Sequence, residues 1–167
     1  DPHIENEENL NRKDIVIAVG MGGSHLAADI ALALDPSHDV VVHADYGLSG
    51  IPEGVLKNSF VIVTSYSGNT EEALSAFEEA LRVNIPVCAI SIGGKLLEFA
   101  KAHNAPYVQI PDTGIQPRMG IGFMLMAFLK LAGKEKMLNE ASKLALQLNA
   151  NDFKKQGQEL SKNLQGK

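Results

Sequence analysis

Largely apolar runs recur along the chain at residues 15–19, 40–43, 60–64, 86–91 and 107–110, and between them apolar positions return every three or four residues. Runs such as Ile15-Val16-Ile17-Ala18-Val19 and Phe60-Val61-Ile62-Val63-Thr64 lack polar alternation, so each strand is expected to be buried on both faces, as in a parallel sheet. The helical spacing between them predicts helices at about 24–34, 70–82, 94–102 and 117–132. Strands alternating with helices in this way make an α/β sandwich with right-handed crossovers. Two further helices are expected at 134–149 and 152–164, with Leu138, Leu144, Leu148, Phe153, Leu160 and Leu164 as their apolar members. The segment Met119 to Leu129 is apolar around its whole circumference, which predicts cover on every side, from the sheet and C-terminal helices or from a partner domain.

Composition narrows the class. A chain of 167 residues can bury a sizeable core, and the pattern predicts one domain with a core over about 13–133 and C-terminal helices over about 134–165. A formal net charge of −5 argues against general binding to nucleic acid or to a membrane surface, both of which need a basic field. No apolar stretch approaches the roughly 20 residues that span a bilayer. The single cysteine, Cys88, sits in Pro86-Val87-Cys88-Ala89-Ile90 and reads as a small buried hydrophobe, so a reducing cytoplasm is the expected setting. The acidic opening from Asp1 to Glu8 has no methionine and no strand or strong helix pattern, which suggests an excised or processed fragment.

The candidate chemistry lies in two turns that each follow an apolar run and precede a helical pattern. Gly20-Met21-Gly22-Gly23-Ser24 fails the dinucleotide fingerprint, because His25 stands where the last glycine belongs. It fails as a P-loop too, since no lysine followed by Ser or Thr closes it. What remains is bare backbone at a helix N-terminus, able to approach an anion, or a glycine turn that Ser24 merely caps. The second turn, Ser65-Tyr66-Ser67-Gly68-Asn69-Thr70, supplies three hydroxyls beside a helix N-terminus, as a phosphate requires. Asn69 can also be read as an N-cap with Glu72 three residues on, while Glu71 and Glu72 are expected to face outward. Strand ends of this kind meet where the strand order reverses, the usual ligand position in a doubly wound sheet. His25 can be read as facing the pocket or as packed on a neighbouring element. His3, His38, His43 and His103 lack ligand spacing, so no metal is expected, and Asp45 loses support as a ribose ligand once the fingerprint fails.

These turns, together with Gln116-Pro117-Arg118 opening an apolar helix, resemble the first sugar-isomerase (SIS) domain of the bifunctional phosphoglucose/phosphomannose isomerases. The resemblance implies a flavodoxin-like five-stranded parallel sheet flanked by helices, with Ser65, Ser67 and Thr70 on the sugar phosphate and Gly22, Gly23 and Ser24 lining the sugar. It implies that Arg118 stabilises the enediolate formed as glucose 6-phosphate or mannose 6-phosphate interconverts with fructose 6-phosphate, a glycolytic or gluconeogenic reaction without a cofactor. An arginine fixed behind a proline at a helix start suits that role, although a solvated arginine would read the same way. Members of the family carry a second SIS domain whose Asn-His-Asn-Glu segment brings the base. This sequence has no such segment, and its 158–167 stretch looks like the lead into that domain. The expectation is therefore half an enzyme, inactive by itself and completed by a second SIS domain or an identical subunit in a dimer. The alternative is a non-catalytic single-domain sensor of sugar phosphates.

Overall fold

The computed structural model describes residues 2–37 and 39–164, so His38 and the last three residues of the 158–167 stretch lie outside the described residues. Five strands form one parallel sheet: β1 (Ile15–Gly20), β2 (Val40–His43), β3 (Ser59–Thr64), β4 (Val87–Ser91) and β5 (Tyr107–Gln109), in the order β2-β1-β3-β4-β5. Each lies within two residues of the run that predicted it. Successive side chains alternate between two cores, because a strand has a period of two and both faces are covered. Val16, Ala18, Phe60, Ile62, Cys88 and Ile90 face one layer, built on α1 (Leu26–Leu34) and α5 (Ile121–Leu131). Ile17, Val19, Val61, Val63 and Ala89 face the other, with α3 (Glu71–Arg82) and α4 (Gly94–Ala102). The small residues Ala73, Ala76 and Ala80 on α3 and Ala27, Ala28 and Ala31 on α1 keep the helices close to the sheet. Cys88 is buried as expected, its thiol donating to the Val61 carbonyl at 3.4 Å.

Several local expectations are corrected. The opening segment is tied down: Ile4 is buried, Glu5 forms an antiparallel bridge with Tyr107, and the Asn6 and Asn9 side chains donate to the Ala105 and Asn104 carbonyls. These contacts cover the outer edge of β5, a single bridge too short to carry a strand pattern in sequence. A short helix, α2 (Glu53–Lys57), precedes β3 and was not legible, being only one turn long. The helix expected at 117–132 divides into a 3-10 turn, Pro117–Gly120, and α5. Its cover is incomplete, for Met119 is 73% exposed and Phe123 is also exposed. Arg12 holds the far end of α5 by donating from Nε to the Leu131 carbonyl at 2.7 Å and from Nη2 to that of Lys130 at 3.1 Å.

The C-terminal helices are α6 (Glu135–Gln147) and α7 (Ala150–Leu164). Of the six apolar residues assigned to them, only Leu138 is buried, whereas Leu144, Leu148, Phe153, Leu160 and Leu164 are exposed. Helical periodicity reports an apolar face but not whether anything covers it.

Candidate functional site

Both glycine- and hydroxyl-rich turns leave the carboxyl ends of neighbouring central strands, β1 and β3, where the strand order reverses. The first turn is a 3-10 turn over Gly22–Ser24, and Gly22 has φ +55°, a conformation glycine adopts without cost. Ser24 does not cap α1: no side chain does, and the buried Ser24 hydroxyl instead accepts the Tyr66 N–H at 3.4 Å. That bond joins the two turns across 42 positions of sequence.

The second turn is wound on its own hydroxyls. Ser65 is 1% exposed, its Oγ accepts the Gly68 N–H at 3.1 Å, and it shares a 2.9 Å hydroxyl–hydroxyl bond with Thr70 Oγ1. Ser67 lies at the surface and accepts the Asn69 N–H at 3.3 Å. Of the three hydroxyls expected to face an anion, Ser67 is exposed, Thr70 is half-buried and Ser65 is the internal brace. The capping reading of Asn69 is corrected, because Thr70 occupies the N-cap position of α3 without a side-chain cap bond. Asn69 Nδ2 donates to the Ser67 carbonyl and its Oδ1 accepts the Lys95 N–H. The reason is tertiary: α4 brings a backbone donor within reach of a side chain that would otherwise serve its own helix. With Thr70 Oγ1 committed to Ser65, the first N–H groups of α3 have no side-chain acceptor, which is the arrangement that favours an anion.

A third segment, invisible to the motif reading, buttresses this turn. Ser91 Oγ donates to the Tyr66 and Gly93 carbonyls, Ile92 N–H donates to the Tyr66 carbonyl, and Leu96 N–H donates to the Gly68 carbonyl at 2.9 Å. Gly68 has φ +72°, and a Cβ there would fall on the Gly93 carbonyl. The sequence signal was present in Ser91-Ile92-Gly93-Gly94-Lys95, a third glycine turn after an apolar run.

Arg118 lies beside the first turn. The 3-10 turn at Pro117–Gly120 lies over Gly23, whose Cβ position is 3.2 Å from Arg118 Cγ, so a side chain at 23 would displace the arginine. The Arg118 guanidinium is exposed and makes no hydrogen bond or ion pair among the described residues. His25, at the N-cap position of α1, is half-buried and holds its Nδ1 2.6 Å from Asp29 Oδ2. Glu71 is exposed as expected and accepts from Tyr46 Oη at 3.3 Å, and the Tyr46 phenol is raised above its ordinary pKa first by the Glu72 charge. Asp45 accepts the Tyr46 N–H and adds a smaller part to the raised pKa of that phenol. A cavity of about 490 Å³ opens elsewhere, at the amino ends of β3 and β4. None of the residues singled out in the turns lines it. At the carboxyl edge the N-terminus of α3 has no side-chain cap bond, and the Arg118 guanidinium makes no ion pair among the described residues.

Comparison with known proteins gives a consistent placement. No protein-family model matches the chain. It is 39% identical over 132 residues to the bifunctional phosphoglucose/phosphomannose isomerase of Caldicellulosiruptor bescii, covering 74% of the chain and 38% of that protein. It is 36% identical over 155 residues to the protein of the same name from Aquifex aeolicus, covering 90% and 47%. The chain therefore spans less than half the length of these relatives. Among solved structures, tagatose-6-phosphate ketose/aldose isomerase from Escherichia coli superposes with a TM-score of 0.56 at 21% identity, over 81% of this chain and 42% of that one. None of the described helices is long and apolar enough to cross a membrane. Over most of its length the chain is thus similar in sequence to the bifunctional phosphoglucose/phosphomannose isomerases, and it shares the fold of the tagatose-6-phosphate ketose/aldose isomerase.

Proposed function

We propose that this chain is the sugar-phosphate-binding N-terminal half of an aldose–ketose isomerase that interconverts glucose 6-phosphate or mannose 6-phosphate with fructose 6-phosphate through a cis-enediol. The observation that carries the reading is the convergence of Gly23, the 65–70 turn and an unpaired Arg118 on one carboxyl edge. The phosphate docks at the N-terminus of α3 with Ser67, Thr70 and backbone N–H groups as donors, and Ser65 holds the turn in shape. The sugar lies along Gly22, Gly23 and Ser24, where the absence of side chains allows close approach. Arg118 then faces the carbons that exchange a proton, and its permanent charge stabilises the enediolate oxygen. The general base comes from a second SIS domain or an identical subunit, so the chain alone binds ligand without turning it over. Losing general-base catalysis typically forfeits about 10²–10⁴ in rate.

Titration with fructose 6-phosphate, followed through backbone amide shifts, tests the site. Shifts are expected at residues 22–24, 65–72 and 118; shifts confined to the cavity around Lys13 and Lys57 would remove the assignment. A coupled isomerase assay on the same material is expected to read background, and robust turnover would show that a base resides on this chain, with His25 and Glu53 the first to substitute.

A further inference from the structure

Tyr66 stands between Ser65 and Ser67 in the second turn, yet its side chain takes no part in the donor set. It is 7% exposed and lies in the core shared by α1 and α5. Its main chain ties two segments together, the N–H donating to Ser24 Oγ and the carbonyl accepting from Ile92 N–H and Ser91 Oγ. Its ring reaches a third. A Cβ on Gly120 would lie 2.6 Å from Tyr66 Cε2 and 3.2 Å from Cδ2, so the ring occupies the space where a side chain at 120 would stand. Gly120 closes the 3-10 turn that carries Arg118, and its own backbone, φ −80° and ψ 6°, is open to any residue. What requires glycine at 120 is the ring and not the turn. The Tyr66 hydroxyl is buried without a hydrogen-bond partner, so nothing polar anchors the phenol and its contribution at this point is shape.

We propose that Tyr66 is the positioning residue for Arg118: packed into the notch of Gly120, the ring sets the height of the 117–120 turn over Gly23 and couples it rigidly to the 65–70 turn. The proposal rests on the reading of this edge as a sugar-phosphate site and adds the means by which the anion turn and the arginine hold a fixed separation. Fixed separation matters because an oxyanion donor displaced by about 1 Å loses about 10²-fold in rate.

The test compares Tyr66→Phe, Tyr66→Leu and Gly120→Ala in this chain by NMR, without ligand and then with fructose 6-phosphate. In the free protein, Tyr66→Phe keeps the ring-current shift of the Gly120 α-protons and the backbone order of residues 118–120. Its melting temperature equals or exceeds that of the parent, because the lost hydroxyl had no partner. Tyr66→Leu abolishes the ring-current shift and lowers the heteronuclear NOE of the 118–120 amides while β1 to β5 keep their shifts. Gly120→Ala forces the ring and turn apart, lowers the same NOEs, and keeps the result decisive if Tyr66→Leu does not fold. Unchanged order at 118–120 in Tyr66→Leu or Gly120→Ala overturns the proposal, as does a Tyr66→Phe protein that loosens as much as Tyr66→Leu. With fructose 6-phosphate, the folded loosened variant keeps shifts at 65–70 and loses those at Arg118. A parent protein that shows no shifts at all removes the sugar-phosphate reading, while the comparison of order in the free protein still decides the role of Tyr66.

Discussion

Replacing Gly68 by alanine separates a turn held by its backbone from one held by its hydroxyls. Gly68 has φ +72°, where an L side chain costs roughly 1–2 kcal/mol. The new Cβ would also meet the Gly93 carbonyl, which is main chain and cannot rotate away. Relief requires the 65–70 turn to move from the 92–96 segment, straining the Leu96 N–H to Gly68 carbonyl bond of 2.9 Å and the Lys95 N–H to Asn69 Oδ1 bond of 3.3 Å. Overpacking of this kind typically costs about 1–3 kcal/mol, so the two effects sum to roughly 2–5 kcal/mol. For a domain of this size each kcal/mol lowers Tm by about 2–4 °C, so a fall of roughly 4–20 °C is expected. Thermal unfolding by circular dichroism measures it, and the thermal protection given by fructose 6-phosphate should vanish in the same variant. Gly54→Ala in α2 is the control: nothing lies within 4 Å of its Cβ position, and a helical Gly→Ala change commonly stabilises by about 0.4–1 kcal/mol. Gly68→Ala melting with the parent protein would refute the argument, since neither the αL penalty nor the collision would then operate.

Arg118→Ala is expected to leave the Tm of this chain within about 1 °C, because the guanidinium has no partner among the described residues. In an enzyme that includes the base, the same change should cost roughly 10²–10³ in kcat with KM nearly unchanged; an unchanged kcat withdraws the catalytic role. Ser65→Ala removes one of the two acceptors of the Gly68 N–H, which keeps the Ser65 carbonyl, and the partner of Thr70 Oγ1, so urea titration should show a loss of about 0.5–1.5 kcal/mol together with weaker phosphate binding. Burial pushes the Cys88 thiol well above its ordinary range, so native protein should resist maleimide at neutral pH and react once unfolded. The sign for stability follows: the unfolded thiol ionises near its ordinary value while the native one does not, so this contribution is intact below about pH 8.5 and declines as pH rises. Cys88→Ser should flatten that alkaline decline, and an identical alkaline profile would count against it.

The sequence alone determined the layers of this fold, because apolar runs without alternation can be satisfied only by strands buried on both faces, and the helical spacing between them left little freedom. It also determined where backbone is bare and where hydroxyls cluster, since Gly22, Gly23, Ser65, Ser67 and Thr70 are local facts of the chain. Which hydroxyl is exposed and which is spent inside was decided only in three dimensions. Ser65 is consumed by Gly68 and Thr70, Ser24 by the Tyr66 N–H, and Asn69 by α4 rather than by its own helix. Local pattern assigns a side chain to its nearest backbone group, whereas folding lets a donor from 26 or 42 residues away compete for it. The same limit hid the Tyr66–Gly120 contact, for the space beside a glycine is defined by what the rest of the chain packs into it. Periodicity likewise fixes which residues of α6 and α7 share a face, and only the tertiary structure decided that Leu138 is buried while Leu144, Leu148, Phe153, Leu160 and Leu164 stay exposed.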